Sequence, residues 1–301
     1  MNSASSALII LNGKGANHPD IRSAITQLRE RGHKILVRVT WEHGDAKRYV
    51  EEGYKLNIDT IVAGGGDGTV NEVAAAIAAL QLNHHPLPTL GILPLGTAND
   101  FATACQIPAD LHNALELAIN GTAVAIDLAM VNHQHIFINM ATGGFGTKIT
   151  TETPAALKAA FGGFSYLLHG ISQVDSLKAD TCTITSDGFH WSGEALVIGI
   201  GNGKQAGGGH PICPEAKIND GQLQLSIMMT ADSLQSFLSS LFSGKDNENI
   251  VFSNMPALEI TAPHEMILNL DGEPLKGNKF SIEVMPCAIK CRLPPDCPLL
   301  I

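Results

Sequence analysis

Gly64-Gly65-Gly66-Asp67-Gly68-Thr69 joins a short apolar run at positions 58–63 to a stretch where Val70, Val73, Ile77 and Leu80 recur at helical spacing. Glycines at a strand-to-helix junction permit positive φ and let main-chain N–H groups approach a ligand closely, and the helix that follows aims the positive end of its dipole at the same point. Such a loop is an anion cradle. It is not the G-x-x-x-x-G-K-[ST] loop, which occurs nowhere in the chain. Nor is it a dinucleotide fingerprint, because Asn71 stands where the third Gly or Ala belongs. Asp67 is the odd member. A carboxylate repels a phosphate unless a divalent cation or a hydroxyl lies between them, so its presence points to a nucleotide carrying Mg2+. An aspartate that merely caps the helix is the alternative.

A second loop, Pro94-Leu95-Gly96-Thr97-Ala98-Asn99-Asp100-Phe101, follows the next apolar run at 90–93. Loops at the carboxyl ends of neighbouring parallel strands converge on one crevice, so Gly96, Thr97, Asn99 and Asp100 are expected near Asp67; a turn with Asn99 or Asp100 as helix cap is the alternative. Asp271-Gly272-Glu273-Pro274 and Asn219-Asp220-Gly221 read on their own as turns. Gly201-x-Gly203-x-x-Ala206 formally fits a dinucleotide pattern, but Gly207-Gly208-Gly209 and Pro211 forbid the helix it needs. His84-His85 and His133-x-His135 lack the further ligands that zinc requires, and Cys287 with Cys291 reads as buried thiols.

The elements that must position these loops alternate two periods. Apolar runs at 7–11, 35–40, 58–63 and 90–93 are separated by helical stretches: one marked by Ile21, Ile25 and Leu28, a charged one at 45–56, and the one after the glycine loop. A further helix at 111–119 ends at Asn120-Gly121. Strands separated by helices of this length imply parallel pairing and an α/β layer domain over residues 1–122. From 123 to 301 the texture changes. Runs at 124–131, 135–140, 181–185, 195–200, 223–228, 266–270, 280–284 and 288–292 read as strands, with one helix at 155–170 and the most polar loop at 243–249. That pattern implies a second, antiparallel β-sandwich or barrel domain, with the final strand free to return to the first.

Composition bounds the partners. Nineteen Lys and Arg against 29 Asp and Glu give a formal net charge of -10. That balance argues against non-specific binding to nucleic acid and confines any membrane contact to a small patch. The apolar run at 7–11 is too short for a signal sequence, no stretch approaches the roughly 18 apolar residues of a membrane span, and six dispersed cysteines suit reduced thiols; cytoplasmic placement is expected.

Gly65-Gly66-Asp67-Gly68-Thr69, Pro94-x-Gly96-Thr97-x-Asn99-Asp100-Phe101 and Asp271-Gly272-Glu273-Pro274 resemble, in order, the signatures of the diacylglycerol kinase catalytic-domain family of lipid kinases. That family includes sphingosine and ceramide kinases and bacterial YegS-type enzymes. The resemblance spans essentially the whole chain and is closest to the YegS type, through Asn12-Gly13-Lys14, Ile218-Asn219-Asp220-Gly221 and Pro294-Pro295-Asp296-Cys297-Pro298. One departure is Asn12-Gly13, where many relatives carry Asn-Pro.

The resemblance implies a first domain like that of phosphofructokinases and NAD kinases. It implies ATP in the crevice between the domains, contacted by Thr40, by Gly66, Asp67, Gly68, Thr69, Val70, Asn71 and Glu72, and by Thr97. Glu273 matches the family's proton acceptor, with Asp67 and Asp271 in the catalytic set; Asp271 and Asp100 match acids that hold Mg2+ or its waters. Asp220 matches a carboxylate ligand of a structural divalent ion, joined by the main-chain oxygens of Lys217 and Gln222, and this oxygen-only set suits Mg2+ or Ca2+. The 201–209 segment becomes a loop lining a lipid entrance. The implied reaction is transfer of the γ-phosphate of ATP to a lipid hydroxyl at a membrane surface, with phosphatidylglycerol as the implied lipid. An NAD kinase-like enzyme and a regulatory protein that binds ATP without turnover are the alternatives. Oligomeric state is not legible.

Overall fold

The computed structural model describes residues 5–80, 86–144, 179–229 and 249–301. His84-His85, the expected helix at 155–170 and all of the polar loop but Asn249 lie outside them. The chain divides into two compact units, Met1–Ile126 with Cys287–Pro298, and Asp127–Pro286 with Leu299–Ile301.

In the first unit β1 (Ser6–Asn12), β2 (Lys34–Thr40), β3 (Thr60–Gly65) and β4 (Thr89–Pro94) form a parallel sheet in the order β2-β1-β3-β4. Ala7, Leu8, Ile9 and Ile10 are fully buried, as expected of a central strand covered on both faces. The helices are α1 (Pro19–Glu30), α2 (Asp45–Lys55), α3 (Asp67–Ala78), α4 (Asp100–Ala104) and α5 (Leu111–Asn120). Pro19 opens α1 and its buried face is Ile21, Ala24, Ile25 and Leu28; Asp110 caps α5 by accepting the Asn113 amide at 2.9 Å. α1 packs with α5 and α2 with α3, the pairing that right-handed crossovers produce on opposite faces of a sheet.

Strand order decides where a ligand can sit. The connection from β1 leads to β2 on one side, and the chain then returns past β1 to β3 on the other. The topological switch point therefore lies at the carboxyl ends of β1 and β3, where helices diverge and leave a crevice. Asn12 and the glycine-rich loop are at those two ends.

In the second unit the strands are the end of β5 (Thr122–Val131), β6 (His135–Phe137), β7 (Met140–Gly143), β8 (Asp180–Ser186), β9 (Phe189–Gly201), β10 (Leu223–Met229), β11 (Ile250–Met255), β12 (Ala257–Leu270) and the start of β13 (Glu273–Leu293). The pairings between β5 and β6 and among β7 to β12, like that of β12 with β13, are antiparallel. β9 and β12 each pair with β8 along one part and β7 along another, so hydrogen bonding closes in a ring around a core that includes Ile184, Ile198, Ile200, Ile260, Leu268 and Phe280.

Several boundaries differ from expectation. The run at 135–140 is broken at Ile138-Asn139, whose amides turn aside to a distant carboxylate. The runs at 280–284 and 288–292 are one strand, because the chain passes through Cys287 at φ 51° without ending. The carboxyl end of that strand lies in the first unit, parallel to β4 with Cys291 opposite Leu90. There Arg292 reaches the Thr60 hydroxyl through Nε and Nη2, each at 3.3 Å, and the Gly121 carbonyl at 2.5 Å. β11 was not anticipated at all.

Candidate active site

The carboxyl edge of the parallel sheet carries four loops. After β1, Asn12 Oδ1 accepts the Gly15 amide at 2.7 Å and closes the first. Thr40 ends β2 directly opposite Asn12 in the register, its hydroxyl 3.5 Å from the Leu11 carbonyl. After β3, Gly66 adopts extended backbone as the N-cap of α3, and Asp67 begins the helix. After β4, Asn99 sits at φ 51° and bonds back on its own loop, Oδ1 accepting the Gly96 amide at 2.8 Å and Nδ2 donating to the Gly96 carbonyl at 2.9 Å. The alternative in which Asn99 caps α4 through its side chain does not occur; it folds the loop instead.

The two glycine loops are in close contact. The Leu95 amide donates to the Gly65 carbonyl at 2.9 Å, and the Phe101 amide donates to Asp67 Oδ1 at 3.1 Å. A Cβ on Gly96 would stand 2.3 Å from the Gly66 Cα, which is backbone and cannot rotate away, and 2.8 Å from Asn99 Oδ1. Gly96→Ala therefore forces the loops apart. We expect a destabilisation of about 1–3 kcal/mol in thermal denaturation, with a loss of nucleotide affinity of about tenfold or more by calorimetry; unchanged binding would show that the juxtaposition of loops is not what holds the ligand.

The first-turn amides of α3, those of Gly68 and Thr69 among them, have no partner inside the helix and face the end of the positive dipole. Not every residue of the expected run is equally placed. The Val70 amide already donates to Gly66 O at 3.0 Å and its side chain is buried, as is that of Asn71, whereas Gly68, Glu72 and Thr97 are exposed. Burial raises the Asp67 carboxyl above its ordinary range; the Phe101 amide pulls the other way, and the nearby Asp100 carboxylate pushes up again. Asp100 is itself buried, at 4 % exposure. Two acids within electrostatic reach at a helix N-terminus are a set that a divalent cation relieves, so these residues fit Mg2+.

The second unit carries the other expected residues. Asp271 and Gly272 form a two-residue hairpin with Leu270 paired to Glu273, at φ 48° and 107°, the positive pair that a type I′ turn demands. Asn269 Oδ1 accepts the Gly272 amide at 2.7 Å. The Asp271 carboxylate accepts three main-chain amides: Ile138 and Asn139 on Oδ2 at 2.8 and 2.9 Å, and Met140 on Oδ1 at 2.8 Å. Glu273 opens β13 and is exposed.

Asp220 Oδ1 accepts the Gln222 amide at 2.9 Å, and the neighbouring Gly221 amide donates to Asp127 Oδ2 at 2.7 Å. The chain end holds the same loop, Lys217 Nζ donating to the Leu300 carbonyl at 3.0 Å and the Ile301 amide to Asn219 Oδ1 at 3.0 Å. Among the described residues no cluster of three or more His, Cys, Asp or Glu is present; a cation held by the 217–222 loop would rest on Asp220 and main-chain oxygens, the chemistry expected for Mg2+ or Ca2+. Asp127, 1 % exposed on β5, escaped the sequence reading, as did Asn202, which is fully buried and donates through Nδ2 to Asp127 O at 2.9 Å and Ile138 O at 2.6 Å. A lone aspartate inside the apolar run Ala125-Ile126-Asp127-Leu128 was the available signal.

Comparison with known proteins places this architecture. Residues 6–131 match the diacylglycerol kinase catalytic domain, and residues 140–292 match the YegS C-terminal NAD kinase beta sandwich-like domain. The chain belongs to the diacylglycerol kinase catalytic-domain family, with the YegS-type second domain. It is 61% identical over 293 residues to a probable lipid kinase YegS-like of Yersinia enterocolitica, covering 97% of this chain and 98% of the relative, and 60% identical over the same length to a counterpart in Yersinia pestis. A crystal structure of a putative diacylglycerol kinase from Bacillus anthracis, 27% identical, superimposes with a TM-score of 0.83 over 98% of this chain and 100% of the other.

Proposed function

We propose that the chain is an ATP-dependent lipid kinase that transfers the γ-phosphate to a lipid hydroxyl, with phosphatidylglycerol as the first lipid to test. The observation that carries this reading is Asp67: a half-buried carboxylate at the mouth of α3, tied to the second loop through the Phe101 amide and close to Asp100. The relatives' description as probable lipid kinases supports it.

In this reading the N-terminal amides of α3 and the hydroxyls of Thr40, Thr69 and Thr97 bind the nucleotide, whose phosphates need donors rather than further anions. Asp67 and Asp100 would hold Mg2+ or its waters, and the bound ion supplies charge neutralisation for the β- and γ-phosphates. Glu273 accepts the proton of the lipid hydroxyl as its oxygen bonds to the γ-phosphorus and the bond from that phosphorus to the ADP oxygen breaks. Asp220, with the Lys217 and Gln222 carbonyls, would hold a second, structural divalent ion. In this reading the lipid is met at a bilayer surface, and six free cysteines suit the reducing cytoplasm.

Purified protein incubated with labelled ATP and Mg2+ should phosphorylate one member of a panel containing phosphatidylglycerol, diacylglycerol and other lipid alcohols. Transfer to NAD alone would replace the reading with an NAD kinase. ATP binding without transfer to any acceptor would leave a regulatory nucleotide-binding protein.

A further inference from the structure

We infer that Asp271 is a positioning residue for Glu273 and not a metal ligand; the inference rests on Glu273 being the base of the proposed kinase. Both oxygens of the Asp271 carboxylate are engaged by main-chain amides of the protein. Oδ2 receives the amides of Ile138 and Asn139, and Oδ1 that of Met140, all within 2.9 Å. The Asp271 amide returns a bond to the Met140 carbonyl at 3.1 Å. These four bonds extend the β7–β12 ladder, which otherwise ends where Leu270 faces Ala141, by holding the tip of the hairpin against the 138–140 segment. That segment leaves the strand path to serve the carboxylate, and Asn202 Nδ2 holds it from behind through the Ile138 carbonyl.

The choice of residue is informative. A type I′ turn accepts Asn-Gly at least as readily as Asp-Gly, so turn propensity alone does not call for a carboxylate. Three converging amides do. An asparagine has a single acceptor oxygen, and its NH2 group would face N–H donors, leaving at least one buried amide unsatisfied. With the tip clamped through Asp271 and Asn269, Glu273 begins β13 in one backbone orientation, directly after the turn. Placement of this kind controls proton transfer, where a displacement near 1 Å costs about 10²-fold in rate.

Asp271→Asn keeps the turn residue and breaks the clamp. We expect kcat for lipid phosphorylation to fall about 10²-fold, with the KM for ATP and the Mg2+ half-saturation unchanged, and with faster amide exchange over Ile138–Met140. A raised Mg2+ half-saturation, or recovery of turnover in excess Mg2+, would make Asp271 a metal ligand and overturn the inference; so would a wild-type kcat. Should Asp271→Asn fail to fold, Gly272→Ala leaves the carboxylate in place and strains only the backbone at φ 107°, where an added Cβ meets nothing within 4 Å. The same fall in kcat with unchanged Mg2+ response is expected there, and undiminished turnover again overturns the inference. A wild type inactive on every lipid counts against the kinase reading instead, and the exchange measurement then decides the clamp alone, unchanged protection in Asp271→Asn refuting it.

Discussion

Asp67→Asn should lower phosphoryl transfer by about 10³-fold, the scale of losing a preorganised electrostatic element at the reacting phosphates, and should nevertheless leave the unliganded protein at least as heat-stable as the wild type at neutral pH. The two effects share one cause. Burial raises the Asp67 carboxyl above its ordinary value near 4, and Asp100 adds to the rise, so the ionised form is held at a cost in the fold. The sign follows from proton counting. Between the unfolded pKa and the raised folded one, the folded state binds more protons than the unfolded state, and stability falls as pH rises through that window. Below pH 4 both forms of residue 67 are neutral and the two proteins should melt alike; toward pH 7 the wild type should fall behind. Asparagine retains the Oδ1 that accepts the Phe101 amide, so the link between loops survives. MgATP should then raise the melting temperature of the wild type and fail to raise that of the variant. Full activity in Asp67→Asn, or a variant markedly less stable at pH 7, would reduce Asp67 to a helix cap.

The parts of this molecule that are local were legible in its residues. The alternation of short apolar runs with 3.6-residue periodicity predicts β1 to β4 and α1, α2, α3 and α5, because β1, β3 and β4 are buried on both faces, the edge strand β2 is short and β-branched, and each helix buries one face. α4 was not seen, since five residues give no period to count. The break between β6 and β7 was invisible for a different reason: its cause, the Asp271 carboxylate, is 131 residues from Met140 in sequence. The runs at 280–284 and 288–292 read as two strands, yet the chain passes through Cys287 at φ 51° and the strand continues. At the site, the loops announced themselves through residue type. The partners that hold them did not, because a serving amide such as that of Phe101 or Met140 leaves no mark on the residue that carries it. Asp127 is legible only as a polar residue inside an apolar strand run, and Asn202, which stands just past the end of β9 between two glycines, carries no such mark.

Glu273→Gln tests the chemical step apart from binding. Glutamine matches the size of glutamate and can still hydrogen-bond a hydroxyl, but it cannot accept the proton that leaves as the lipid oxygen bonds to phosphorus. General-base catalysis is worth about 10²–10⁴-fold, so kcat should fall within that range. The dissociation constant for MgATP, measured calorimetrically, should match the wild type, since the groups proposed to hold the nucleotide lie on the β1 to β4 loops and Glu273 opens a strand of the other unit. The loss should also depend on the acceptor. A lipid analogue whose hydroxyl is more acidic gives up its proton with less help, so the ratio of wild-type to variant kcat should shrink as acceptor pKa falls. A ratio that stays constant across acceptors would mean that Glu273 orients the substrate and that another group takes the proton. Weakened MgATP binding with kcat preserved would assign the residue to uniform binding of the substrate complex, since only a group acting in the transition state lowers kcat without touching affinity.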